Sequence, residues 1–308
     1  MHNDHKNFYS SYLKEYHQVK AYYLKMQLDN LDDLNDKLLK KEFDRTLTTN
    51  TKFILQAELR QNYFHAIESF FELFFALAPD GVKVPDNTDI VKRLVKSNWR
   101  KNYNKITDIS NGKFKIENLL KREIELNNHK VEVGHYLFYI GIFNEDKFQD
   151  VINSIKKSYE GIAKGIVTLA KDFSDRDEYN AYKHALRIYP SMQKLIFADH
   201  KTLKERMSFD LSNSMSFQQF DEKARKATIK TKVLDSERDF RMTSFCSNLI
   251  HHMIYFRDVI YNSDSKKWKN EDQIKISIFD HDEIEKCSEH NVEVQDLEFS
   301  TQLINQKL

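Results

Sequence analysis

Arg60 and His65 lie five positions apart in a stretch, 52–78, that contains neither Gly nor Pro. Their types suit cleavage of RNA without a metal. The 2′-hydroxyl attacks the phosphate, a His that titrates near neutral pH moves the proton, and a planar guanidinium steadies the charge that builds on the phosphorane. Asn62, between them, has the donor needed to orient a phosphate. Five helical positions turn about 140°, so Arg60 and His65 do not share a face. A similar spacing recurs at Arg122 and His129.

A second constellation is Asn180-Ala181-Tyr182-Lys183-His184-Ala185-Leu186-Arg187. On a helix, Asn180, Lys183, His184 and Arg187 fall within about 100° of one another, joined by Arg176. Cations and an amide on one stripe can hold a phosphate or a carboxylate. Asp177 lies only at the stripe's edge, and no acid sits one turn away within it. The same pattern also fits the solvated face of an amphipathic helix. A third group is Asp235-Ser236-Glu237-Arg238-Asp239, followed by Arg241, Asn248, His251 and His252. Acids in a first turn favour the helix dipole. Arg241, Asn248 and His252 share a face and either add to a site or are surface. His251 and His252 are adjacent, so they point apart and cannot together ligate a metal on a helix.

Other chemistries lack their residues. The chain has no P-loop, no GxGxxG, no GxSxG and no HExxH, which disfavours P-loop hydrolysis, Rossmann cofactors, α/β-hydrolase chemistry and zincin chemistry. Its 2 cysteines, Cys246 and Cys287, form no CxxC or Cys/His cluster. They read as reduced thiols, with no structural zinc. No cofactor and no metal are expected.

An Arg followed on a helix by a His four to six positions later resembles the signature of the HEPN superfamily. The NxxKHxxR run resembles a segment of uncharacterised bacterial helical proteins, some of them HEPN-like. Here the Arg60/His65 pair lies near the start of the first core helix, whereas the family motif usually opens the last. The resemblance covers the bundle; the N-terminal helices, the 82–134 region and the strands fall outside it. It implies a metal-independent endoribonuclease of the RNA-processing or defence type, commonly a dimer, with RNA as partner. His65 or His184 would move the proton and Arg60 or Arg187 would steady phosphate charge. Asn62 or Asn180 would orient the phosphate, with Lys183 adding a cation. The alternative is a non-catalytic helical interaction module that associates with itself, using the wide Phe-rich face of 52–78 for both core and partner. A third class is small-ligand binding between helices.

The elements that must position these residues read as helices. The chain has 308 residues, 40% hydrophobic and 13% aromatic, with only Gly 6 and Pro 3. Sandwiches and barrels need more turn residues than that. The expectation is a mainly α fold: a bundle of about four long core helices near 52–78, 145–173, 176–199 and 237–261. Two N-terminal helices, near 6–27 and 31–44, pack on it, and Asp89 to Trp99 and Phe114 to Leu126 read as helical. A small β-hairpin is inserted where residues alternate, Ser214 to Phe220 and Ala227 to Leu234, and Ile274 to Ile278 alternates again. The boundaries expected are 1–46 for the N-terminal extension, 47–262 for the bundle with insertions at 82–134 and 211–235, and 263–308 for a short strand and a polar, frayed tail. On 52–78, Leu59, Tyr63, Ala66, Ile67, Phe70, Phe71, Phe74 and Leu77 fall on one face. Glu58, Gln61, Asn62, His65, Glu68, Ser69 and Glu72 fall on the other.

Charged residues are 31%, yet the net charge is +1, so no global field drives the chain onto nucleic acid or an anionic membrane. The polar N-terminus is wrong for a signal peptide, and no run of 18 apolar residues occurs. These features predict a soluble cytoplasmic protein.

Overall fold

A computed structural model describes residues 4–36, 45–81, 84–126, 129–142, 149–183, 187–221, 225–264, 276–292 and 296–302. It is mainly helical. The helices are α1 Asp4–Ser11, α2 Tyr16–Asp29, α3 Leu31–Leu34, α4 Arg45–Leu77, α5 Ile90–Val95, α6 Trp99–Ser110, α7 Ile116–Lys121, α8 Val133–Phe138, α9 Gln149–Phe173, α10 Arg176–Lys183, α11 Ser236–Asn262 and α12 His281–Ser288. The strands are β1 Glu123–Leu126, β2 His129–Glu132, β3 Ile188–Pro190, β4 Lys194–Ala198, β5 Glu205–Asp210, β6 Ser214–Asp221, β7 Lys226–Val233 and β8 Asp296–Gln302. No helix is long and apolar enough to cross a membrane among the described residues.

The chain divides into two compact units. The first comprises 1–19, 65–174 and 241–289, and the second 20–64, 175–240 and 290–308. In the first unit the core is built from the 3.6-residue periodicity of the long helices. Phe70, Phe71 and Phe74 of α4 are buried, as are Ile155, Ile162, Ile166 and Leu169 of α9 and Met242, Leu249 and Met253 of α11. Two glycines on α9 permit close approach. A Cβ on Gly165 would lie 2.1 Å from the Phe245 ring, and one on Gly161 would lie 2.6 Å from the Phe279 carbonyl oxygen. α4 stops at Ala78-Pro79-Asp80-Gly81, where Gly81 takes φ +59°, a conformation that costs glycine little.

The second unit carries an antiparallel sheet of order β3-β6-β7-β8 and a separate β4–β5 hairpin. β6 and β7 pair from Ser214↔Val233 to Asp221↔Lys226. This is the hairpin that the alternation of residues predicts. One face of the sheet meets α10 through Lys230, 3.6 Å from Asp175, and Lys232, 3.5 Å from Glu178.

Several expectations are corrected. The helix expected over 176–199 ends at Lys183. Ile188-Tyr189-Pro190 is instead an edge strand, where a proline's missing N–H costs nothing, and Lys194–Ala198 pairs with Glu205–Asp210. The helix expected from Phe114 to Leu126 ends at Lys121, and β1 pairs with β2 from Glu123↔Glu132 to Leu126↔His129. Residues 276–278 form no strand. The expected polar tail holds α12, whose N-terminus Asp280 caps by accepting from Asp282 and Glu283, and β8, which pairs with β7. The expected helix 6–27 breaks between Ser11 and Tyr16. Most of 31–44 and part of 274–278 lie outside the described residues.

Candidate functional site

Arg60 is the centre of a buried charge cluster in the second unit. Its Nε donates to Glu178 Oε1 at 3.0 Å, and an Nη donates to Asp239 Oδ1 at 2.6 Å. The guanidinium lies over the Phe64 ring, 4.7 Å from its centroid. Glu178 is 1% exposed and Asp239 2%. The second Glu178 oxygen is 3.5 Å from Lys232 Nζ, which also reaches Asp296 at 2.6 Å. The cluster therefore ties α4, α10, α11, β7 and β8 together by alternating charges.

Local sequence sets each member. Asp175 caps α10 by accepting from the Glu178 N–H at 3.1 Å, and Asp235 caps α11 by accepting from the Arg238 N–H at 3.0 Å. Both caps fix first-turn acids, Glu178 and Asp239, on faces that turn inward. Burial raises the Asp239 carboxyl to about 6, against the pull of Arg60 beside it. Burial also works against the Lys232 charge, but Glu178 and Asp296 outweigh it and its pKa is raised. The Tyr182 hydroxyl, buried next to Glu178, is pushed well above its ordinary value by burial.

The other expected site residues are placed as follows. Asn62 is fully buried rather than on a polar face. Asn180 is half-buried, and Lys183 and Arg187 are exposed. The Lys183 ammonium lies 5.5 Å from the Tyr179 ring centroid. His65 is half-buried and belongs to the first unit, whereas Arg60 and Asn62 belong to the second. His184 lies outside the described residues. Arg122 follows the end of α7 and donates to the Pro79 carbonyl at 3.1 Å, while His129 opens β2, so that pair is not a helical motif. Asp239 belongs to the third group read from sequence, whereas Glu178 and Lys232 were in none of them. Their one local signal is an acid or amine placed among apolar neighbours, such as Glu178 beside Tyr179, Ala181 and Tyr182.

The first unit has its own polar centre. Arg257, with no exposed surface, donates to Asn87 Oδ1 at 3.2 Å and to the carbonyls of Tyr136, Leu137 and Met253, each at 3.0 Å. His252 packs edge-on against Tyr139 and Phe279, and its Nδ1 lies 3.3 Å from the Phe138 carbonyl oxygen. Burial lowers its pKa to about 4, with neighbouring His251 adding to the effect.

This gives a signed pH dependence. The unfolded chain binds a proton on this imidazole near pH 6.5 while the fold refuses it until about pH 4. Stability from this site is full above pH 6.5 and is lost as pH falls from there toward 4. His252→Gln is expected to flatten that limb by up to about 3 kcal/mol, read from urea titrations at pH 7 and pH 4.5. An unchanged pH slope in His252→Gln would contradict it.

No protein-family model, curated protein or solved structure matches the chain.

Proposed function

We propose that the protein is a helical interaction module that associates with a second copy of itself through α2. The observation that carries this reading is an apolar face turned outward. Tyr16, Val19, Tyr22, Tyr23 and Met26 are 56%, 48%, 59%, 60% and 54% exposed. At 100° per residue they fill one sector of about 120°. The opposite side of α2 is already packed: Ala21 is fully buried, His17 Nε2 is 3.1 Å from Ser69 Oγ, and Lys20 pairs with Glu58 at 3.3 Å. One side of α2 is thus held within the chain, which leaves the outward apolar face to be covered by another surface.

The spacing chooses the kind of cover. Tyr16, Val19, Tyr23 and Met26 follow the seam of a coiled coil, which takes another helix. A second copy offers the same seam, and a parallel register keeps Glu15 away from Asp29 of that copy. An antiparallel pair would bring Glu15 toward Asp29 of the second copy, a like-charge contact. The Phe-rich face of 52–78, expected to serve both core and partner, has Leu59, Tyr63, Phe70, Phe71 and Phe74 at 0–1% exposure, so the core uses all of it. A helix of this length is about 21 Å long. That places the interface at the small end of specific interfaces.

The test is the double variant Tyr23→Glu, Met26→Glu. Both side chains are exposed, so the circular dichroism and melting temperature should stay those of the wild type while light scattering shows the dimer lost at tens of micromolar protein. A variant that remains dimeric rejects this face. Metal-independent RNA cleavage, which the resemblance implies, has a separate readout in mixed RNA with EDTA. Arg60, bonded to Glu178 and Asp239, and buried Asn62 already serve the fold. Cleavage that disappears in His65→Ala or His184→Ala would replace the module reading with a ribonuclease.

A further inference from the structure

The first unit contains a cleft of about 870 Å³ at the C-terminal end of α4, within the range of small-molecule sites. Its walls are apolar and aromatic, with Phe75 and Phe114 among them. Among the described residues, its charged lining is Asp80, Asp86, Asp89 and Asp108 against Arg93 and Lys105.

Among the described residues, both cations in the cleft have partners. Arg93 donates to the Ala76 carbonyl at 2.6 Å and the Asp86 carbonyl at 2.7 Å. Lys105 holds its ammonium 4.9 Å from the centroid of the Phe75 ring, inside the cleft lining. Among the acids, Asp108 has Lys113 at 3.9 Å on the surface. Asp86 accepts from the Thr88 N–H at 2.8 Å, which keeps its carboxyl below the usual range and therefore charged. Asp89 makes no capping bond at the start of α5.

We infer that this cleft binds an organic cation with an apolar body, such as an aryl ammonium ion, seated on the Phe75 face against the Asp80, Asp86 and Asp89 carboxylates. Two features carry it. Among the described residues the lining has more acids than bases around an aromatic wall, the composition that recognises ammonium ligands by cation–π and charge contacts together. The protein already places one of its own ammonium groups on that ring. Lys105 is an internal occupant that a ligand must displace.

The test uses the full chain and three probes of one shape class: benzyltrimethylammonium, benzyl alcohol and phenylacetate. Binding is read by ligand-observed NMR and calorimetry. The cation should bind about tenfold more tightly than the neutral alcohol, and phenylacetate least. Asp89→Asn should weaken the cation several-fold. Lys105→Gln, at an exposed position, should tighten it by freeing the Phe75 face, an effect a merely greasy cleft would not show. A neutral or anionic probe that matches the cation overturns the inference. So does the absence of cation binding at millimolar concentration, or a Lys105→Gln protein whose affinity is not increased, whatever Asp89→Asn does.

Discussion

Arg60→Met is expected to cost about 3–5 kcal/mol of stability, because it removes the cation bonded to two buried carboxylates and leaves Lys232 alone beside Glu178. Glu178 and Asp239 are 1% and 2% exposed, so neither can turn to water without moving α10 or α11. The methionine fills the stem of the lost side chain, so the loss is electrostatic rather than a cavity. Burial already raises the Asp239 carboxyl to about 6, so its share of the damage grows as pH rises past that value. A triple variant, Arg60→Met with Glu178→Gln and Asp239→Asn, should recover much of the loss, since uncharged amides ask less of their surroundings. Guanidinium titrations of the three proteins read this directly. Hydrogen exchange should localise the loss to segments 175–183 and 226–239. A single variant as stable as the wild type would show that these acids are not held by Arg60.

Arg257→Met is expected to be at least as damaging, by about 4 kcal/mol or more, for a different reason. Here the guanidinium answers mainly backbone. Its donors reach the Tyr136 and Leu137 carbonyls, which lie in α8 where that short helix ends, as well as Met253 and Asn87. The helix-end carbonyls have lost the N–H partners that a longer helix would supply. Asn87 is held in turn by the Tyr136 hydroxyl, which donates to its Oδ1 at 3.1 Å. Arg257→Lys should rescue little, because one ammonium cannot span acceptors that a planar fork reaches at once. Exchange should rise first at 133–139 and 252–258, in the first unit, where the Arg60 variant leaves protection intact. Two patterns of loss in two units would also make whole-chain unfolding non-two-state, so the exchange data carry the comparison.

The long helices could be read from the chain because nothing interrupts their periodicity. Leu59 through Leu77 alternate at helical spacing, and that face is the one the structure buries. The hairpin β6–β7 was legible for the matching reason, a period near two along Ser214 to Phe217 and Ala227 to Val233. What escaped was pairing at a distance. β8 joins β7 through partners such as Phe299 and Ile229, and no local pattern in an acidic stretch announces that register. Pro190 reads as a helix kink until β6 supplies an edge for it. The candidate site shows the same divide. Arg60 has the chemistry that drew attention to it, but its carboxylates lie 118 and 179 positions away along the chain. Tyr9 and Tyr16 look like one helical stripe. The break after Ser11 separates them, leaving Tyr9 buried and Tyr16 exposed.

That outward face of α2 is where the account is most exposed to experiment. Sedimentation equilibrium of the unaltered chain, from about one to two hundred micromolar, spans the affinity expected of an interface this size. The weight-average mass should climb from 36.8 kDa toward twice that value across the series. A mass fixed at the single-chain value throughout would contradict it.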